Sequence, residues 1–378
     1  MKIGIICYPT HGGSGVVATE LGKELAQRGH TVHFISYQLP FRLDRFQPNV
    51  FYHEVDMLGY PLFKYPPYTL ALVNKIAELA EREKLDIIHA HYAIPHSFCA
   101  HMAREILGDC GVRVVTTLHG TDITLVGSDP SFKRITRYSI DKSDGVTAVS
   151  KSLCEETVRE FGVTKPVRPI YNFINTQQVF RRPGAREEVG CPQDDCKVLV
   201  HVSNFRPVKR VPDVVEVFAR VRREMSAKLL LVGDGVQRAE AQAVVDRLQL
   251  QDDVRFMGTQ DNILPILSAA DLFLLPSSKE SFGLGALEAM ACNVPVVASN
   301  AGGLPEVVVH GETGFLAPVG DVEALAGFAL DVLGSEERLR QMGEAARRRA
   351  EDAFSSERIV PQYEAFYREV LEQKSEGC

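Results

Sequence analysis

Lys279-Glu280-Ser281-Phe282-Gly283-Leu284-Gly285-Ala286-Leu287-Glu288-Ala289-Met290 decides how this chain is read. An apolar, strand-like run, Asp271 to Pro276, precedes it, and an apolar pattern of helix formers continues from Gly283 through Ala291. Glu280 therefore falls in a strand-to-helix loop and Glu288 inside the helix that follows. Both carboxylates can face a crevice at the carboxyl ends of parallel strands, where open α/β sheets bind ligands. The backbone N–H groups near Phe282, Gly283 and Leu284 would open the helix toward an anion. Taken singly, each glutamate is equally a solvated loop residue or an ordinary helix residue.

The 378 residues suggest about two domains, each able to bury its own core. A composition of 45% hydrophobic and 24% charged residues fits a soluble globular protein. The net charge of −7 and pI near 5.9 argue against nucleic acid or an anionic membrane as partner. The chain opens on a strand, Ile3 to Ile6, with no signal-peptide pattern and no run of about twenty apolar residues, so a cytoplasmic protein is expected. Eight cysteines form no C-x-x-C motif, and Cys191 and Cys196 have no matching second pair. Reduced, mostly buried thiols are expected rather than a zinc site.

Strand–helix alternation starts at once: Ile3 to Cys7, Val16 to Arg28, then Thr31 to Ser36. The intervening loop, Pro9 to Gly15, carries Gly12-Gly13-Ser14-Gly15, which allows close approach of backbone to a ligand. It is not G-x-G-x-x-G, and the second strand ends in Ser36-Tyr37 without an acid, so a nicotinamide site is disfavoured. Residues 37–68 are irregular; Phe41-Arg42-Leu43 and Lys64 to Tyr68 read equally as an acceptor pocket or a packed surface loop. A helix near 70–83 and a strand over 86–90 lead to His91-Tyr92-Ala93-Ile94-Pro95-His96. The histidine spacing fits no helical zinc pair, which leaves Tyr92 as the site candidate. Strand 113–118 ends in Thr117-Leu118-His119-Gly120-Thr121-Asp122, and strand 145–149 leads to a Ser150 helix cap. Pro166 to Ile174 looks like the domain crossing, with Asn172 able to face the cleft.

A second alternation opens with Lys197 to Val202, followed by Ser203-Asn204-Phe205-Arg206-Pro207-Val208-Lys209-Arg210. Its cations either neutralise a diphosphate or form a solvated basic loop. A helix near 213–224, a strand at 228–232 closed by Gly233-Asp234-Gly235, and a strand at 254–257 ending at Gly258-Thr259 follow. After the central segment come strand 294–299, turns at Gly302 to Glu306 and Gly311 to Leu316, a helix near 336–351 and a last helix from about Pro361 to Gln373.

The string from Glu280 through Ala291 closely resembles the Glu-x7-Glu segment of the family-four retaining GT-B glycosyltransferases, and the likeness runs over nearly the whole chain. Ile3 to Gly15, Thr116 to Gly127, Tyr171 to Ile174 and Ser203 to Arg210 resemble that family's bacillithiol-pathway branch. That branch transfers N-acetylglucosamine from UDP-N-acetylglucosamine to the hydroxyl of L-malate, with retention and without a metal; the absence of a D-x-D motif agrees. The resemblance implies an α/β GT-B fold of two Rossmann-like βαβ domains facing across a cleft. Residues 1–168, joined by the returning C-terminal helix at 360–378, would bind acceptor, and 169–359 would bind the UDP-sugar. Asn293 and Pro276-Ser277-Ser278 depart from the family pattern without touching the carboxylates.

Carried over by residue, Glu288 would accept from the ribose hydroxyls, Glu280 from the sugar hydroxyls, and Gly258 would lie beside the base. Ser281, Phe282, Gly283 and Leu284 would support that region. His119 would contact the sugar near its C6 hydroxyl. Arg206 and Lys209, with Arg210 in reserve, would neutralise the diphosphate, aided by Gly13 and Gly15. Ser14, Tyr92, Thr117, Asn172 and Arg206 are candidates for malate. Neither glutamate then suits a nucleophile, so front-face substitution is expected over double displacement, with no cofactor. Transfer to inositol phosphate or a lipid, a UDP-N-acetylglucosamine 2-epimerase, and a two-lobed binding protein are the alternatives. Oligomeric state stays open.

Overall fold

A computed structural model describes residues 1–10, 12–43, 46–57, 64–108, 111–124, 126–127, 129–191 and 196–373. His11 of the glycine loop, Leu125 of the Thr116–Gly127 string, Cys110, and the end of the C-terminal segment beyond Gln373 lie outside the described residues. The chain forms two compact units, Met1–Asn172 with Glu357–Cys378, and Phe173–Ser356.

The first unit is built on seven parallel strands: β1 (Lys2–Ile6), β2 (Thr31–Ser36), β3 (Val50–Glu54), β4 (Ile87–His91), β5 (Arg113–Leu118), β6 (Gly145–Ala148) and β7 (Val167–Pro169). Their order is β3-β2-β1-β4-β5-β6-β7. Helices cover both faces, so the central strands read as apolar runs rather than alternating ones. Ile6, Ile35, Ile88 and Val114 pack with Leu72, Ile76 and Leu79 of the Tyr68–Glu83 helix and with Cys99, Ala100 and Ala103 of the Phe98–Leu107 helix.

The second unit repeats the plan with six parallel strands: β8 (Lys197–Val202), β9 (Ala227–Val232), β10 (Val254–Gly258), β11 (Leu272–Leu275), β12 (Val296–Ser299) and β13 (Gly314–Ala317). Their order is β10-β9-β8-β11-β12-β13. Leu199, Leu229, Leu231, Leu272 and Leu274 form the sheet side of its core, facing Val214, Val217, Phe218 and Val221 of the Val211–Glu224 helix. In each unit the winding reverses once, between β1 and β4 and between β8 and β11. Those are the topological switch points, where loops at strand carboxyl ends part to leave room for a ligand.

Four elements differ from the sequence reading. The irregular stretch 37–68 contains β3, whose half-polar sequence on a sheet edge carries no apolar run. Pro166 to Ile174 is not only a crossing: Val167–Pro169 pairs with β6 as the edge strand, a place where proline costs no ladder bond. The segment expected as a turn at 311–316 ends in β13. The last helix starts at Ser356, not Pro361, because Ser356 N–H donates to the Ile174 carbonyl (2.9 Å) and launches the helix there.

Candidate functional site

The second unit gathers its candidates at the β8/β11 switch point. The loop after β8 turns through a short helix, Pro207–Lys209, and ends with Arg210 in the left-handed region (φ 52°). The loop after β11 runs beside it: Ser278 N–H donates to the Val208 carbonyl at 2.8 Å. The two loops are closed by an ion pair, Lys209 Nζ to Glu280 Oε2 at 2.6 Å. Ser277 Oγ donates to the same carboxylate oxygen at 3.4 Å.

Glycines pin both loops from behind. A Cβ on Gly302 (φ 54°) would lie 2.0 Å from the Glu280 carbonyl oxygen, and one on Gly233 (φ 120°) 1.7 Å from that of Ser203. No other residue tolerates such approach. Gly303 N–H also donates to the Glu280 carbonyl (2.8 Å). The turns at 233–235 and 302–303 are thus the backstops that set the two site loops.

Gly283, with φ 101°, caps the Leu284–Ala291 helix, and among the described residues no side chain caps that end. Its first N–H groups therefore keep their donors for an outside acceptor. Ser281 is half-buried, and Phe282 is buried in an edge-to-face contact with Phe354 (5.6 Å). Glu288 is buried within the helix at 7% exposure. Gly258 ends β10, two strands from β8, and its carbonyl accepts from Gly233 N–H at 2.8 Å.

The cations divide three ways. Lys209 is paired with Glu280; Arg206 is exposed, and among the described residues its side chain has no hydrogen-bond or ion-pair partner. Arg210, the reserve candidate, pairs with Asp213 at 2.6 Å at the start of the Val211–Glu224 helix.

The first unit's candidates meet at the β1/β4 switch point. Gly13 begins the Gly13–Gln27 helix, and a Cβ on Gly15 would lie 2.6 Å from the Thr10 carbonyl oxygen, so the loop after β1 folds tightly onto the helix start. Tyr92, just past β4, donates its hydroxyl to Ser14 Oγ at 2.9 Å. Its backbone sits at φ 92°, ψ 137°, a region in which a side chain costs about 1–3 kcal/mol. Its ring packs on Tyr8 (5.5 Å) and His119 (5.4 Å), so Ser14, Tyr92 and His119 form one cluster.

Two further acceptor candidates lie deeper in the first unit. Thr117 is fully buried, its hydroxyl spent on His89 Nε2 and Thr147 Oγ1, each at 2.7 Å. The strand alternation that points His119 outward at the sheet's end places Thr117 one pair deeper on the same face. Asn172 is 6% exposed and closes the first unit, with Oδ1 buried and unpartnered among the described residues.

Asp122, His91 and Tyr8, which the sequence reading assigned no role, stand against this cluster. Asp122 is buried and accepts backbone N–H bonds from Ala93 (3.1 Å), His119 (3.1 Å) and Gly120 (2.9 Å). Burial pushes its carboxyl up to about 6, partly opposed by those donors. It ties the loops after β4 and β5 together, a role signalled only by an acid at the start of a short helix. Burial holds His119 down at about 3 and His89 at about 3, so both are neutral near neutral pH. Among the described residues no three metal-ligating side chains come together, and no helix is long and apolar enough to cross a membrane. The described cysteines are free thiols.

Two family models divide the chain: "Glycosyltransferase Family 4" matches residues 11–178 and "Glycosyl transferases group 1" residues 186–349. The N-acetyl-alpha-D-glucosaminyl L-malate synthase of Bacillus anthracis is 51% identical over 100% of this chain and 99% of its own length. Among solved structures, the sucrose-phosphate synthase of Thermosynechococcus elongatus aligns with a TM-score of 0.82 at 24% identity, covering 98% of each chain. The Anabaena protein HepE, in complex with UDP and glucose, aligns at 0.82 and 22% identity over 97% of this chain and 99% of its own. Two doubly wound units of this kind are the GT-B fold, and the class is glycosyltransferase. The chain belongs to the family-four glycosyltransferases, in the group that includes the Bacillus anthracis synthase.

Proposed function

We propose that this enzyme moves N-acetylglucosamine from UDP-N-acetylglucosamine to the hydroxyl of L-malate with retention, the opening step of bacillithiol biosynthesis, in the cytoplasm. The observation that carries the reading is the 51% identity to a malate synthase along the entire chain. The Lys209–Glu280 pair at a switch point supports it, because it sets a sugar-binding carboxylate beside a cation suited to phosphate.

In this reading the second unit binds the donor. Glu288 accepts from the ribose hydroxyls, Glu280 from the sugar hydroxyls, and the uncapped N–H groups after Gly283 face the donor's anionic part. The base lies by Gly258. Arg206 and Lys209 carry the charge that grows on the departing UDP, as positioned cations do for phosphate leaving groups. His119 meets the sugar near its C6 hydroxyl. Ser14 and Tyr92 hold a malate carboxylate, with Arg206 and Asn172 as further contacts.

The anomeric C1–O bond to the β-phosphate breaks as the malate hydroxyl oxygen bonds to C1 on the same face. The hydroxyl proton passes to the departing phosphate oxygen. Protein catalysis is then positioning and charge stabilisation, and the cations supply what a metal would otherwise do. The test is UDP release from UDP-N-acetylglucosamine with and without L-malate in chelator. Malate-dependent, chelator-insensitive release supports the reading; donor binding without malate stimulation sinks the acceptor assignment and turns attention to inositol phosphates.

A further inference from the structure

His119 does not stand alone. His91, the last residue of β4, pairs across the sheet with Thr117, so His119, just past the end of β5, comes to lie against it. His91 Nδ1 and His119 Nε2 are 2.8 Å apart, and their rings stack at 5.1 Å and 24°. Behind them His89 leans on His91 with ring centroids 4.4 Å apart, and Tyr367 of the C-terminal helix bonds His89 Nδ1 at 2.8 Å. Burial, reinforced by the neighbouring rings, keeps His91 well below the ordinary histidine range, so each ring in the chain carries one proton.

One proton must serve the His91–His119 bond. His91 Nε2 is buried and has no partner among the described residues. If the His91 proton sat there, it would be an N–H donor sealed from water and from any acceptor, an arrangement folded proteins avoid at a cost of about 1–3 kcal/mol. Placed on Nδ1, it is donated to His119 Nε2, and the buried Nε2 is left as a bare lone pair. His119 must then carry its own proton on Nδ1. His119 is half-buried, and among the described residues nothing bonds that Nδ1.

We infer that His91 is a positioning residue that locks His119 in the Nδ1–H tautomer, so that His119 offers the sugar a neutral N–H donor. Only the identity of the group that Nδ1–H meets rests on the proposed reaction. A hydroxyl facing a fixed donor must accept, and its own proton must go elsewhere in the site. The pair thereby sets the direction of hydrogen bonding at that sugar position.

The direct test is long-range 1H–15N correlation of the ring nitrogens in the full chain labelled with 15N-histidine, at neutral pH and without substrate. His119 is assigned by its loss in His119→Gln. The expected spectrum shows His119 Nε2 unprotonated and Nδ1 protonated, and in His91→Phe the Nε2 of His119 gains protonation. A protonated Nε2 in the unsubstituted chain, or a pattern that His91→Phe leaves unmoved, overturns the inference. Should His91→Phe fail to fold, His91→Asn, whose amide reaches the place of Nδ1, is expected to keep the His119 pattern. In turnover, His91→Phe lowers kcat about tenfold with the acceptor KM unchanged, and His91→Asn restores most of it; equal loss in both contradicts a tautomer role. The spectrum needs no substrate. A chain with the expected tautomer but no malate-dependent UDP release would therefore fault the proposed reaction alone.

Discussion

Lys209 and Glu280 stand 71 residues apart and meet at 2.6 Å across the β8/β11 switch point. Both side chains are largely covered, at 19% and 14% exposure, so the pair is screened less than a surface salt bridge. The contact holds two loops in register and presets a carboxylate for sugar and a cation for phosphate. Lys209→Ala removes one partner and leaves a mostly buried carboxylate unpaired. The expected result is a fall in kcat of on the order of 10²-fold with a lowered Tm. The double substitution with Glu280→Gln should recover Tm but not turnover. Steady-state kinetics beside a thermal melt would check both, and an unchanged kcat in Lys209→Ala would remove the lysine from the reaction.

Arg206 gives the complementary case. It is exposed and has no side-chain partner among the described residues, so Arg206→Ala should leave stability within about 0.5 kcal/mol. A guanidinium waiting for the leaving diphosphate would still cost on the order of 10²-fold in kcat. Normal folding with normal turnover would remove the main support for charge stabilisation of the leaving group.

Tyr92 reaches Ser14 by a strained backbone, and the hydroxyl bond is the visible return on that strain. Tyr92→Phe keeps the ring against Tyr8 and His119 while freeing Ser14 Oγ. The KM for malate should rise about five- to tenfold, the equivalent of one hydrogen bond of about 1 kcal/mol. The KM for UDP-N-acetylglucosamine should stay put, and equal changes in both constants would argue against an acceptor role.

Legibility tracked distance along the chain. Glu280, Glu288 and Gly283 could be read because a strand, a turn and a helix sit side by side within twenty residues. The Lys209–Glu280 pairing could not, since parallel strand order, not spacing, joins β8 to β11. His91 drops out once its spacing fails as a zinc pair, and Asp122 stays unassigned within the 117–122 string, because their partners come from the neighbouring strand end. Thr117 lies near the carboxyl end of its strand, as read, but nothing in the sequence shows that its hydroxyl bonds His89 and Thr147, which neighbouring strands supply. β3 escaped notice because an edge strand with Tyr, His and Glu shows no apolar signature.

Acid should loosen the first unit first. Burial lowers His33, His96, His101 and His201 to about 4 and His89 and His119 to about 3. Their unfolded forms take up protons near pH 6.5, so the folded state loses stability as pH falls from 6.5 toward 4, by up to about 1.4 kcal/mol per pH unit for each. Asp122 works in the opposite sense: raised to about 6, it binds a proton in the folded state over pH 4–6 and adds stability there. One group cannot offset six. Of the six, only His201 belongs to the second unit. Hydrogen exchange at pH 5 should show protection lost in β1, β4 and β5 before β8 and β11; the reverse order would contradict this.

Retaining transfer of N-acetylglucosamine to a hydroxy acid leaves its mark on the product's anomeric centre, which is therefore the first thing to measure. The enzyme is incubated with UDP-N-acetylglucosamine and L-malate, and the anomeric proton of the product is read by NMR. The result expected is an α-linked N-acetylglucosaminyl malate, keeping the configuration of the donor. A β-linked product would contradict front-face substitution, and free N-acetylglucosamine with no malate adduct would contradict the transfer itself.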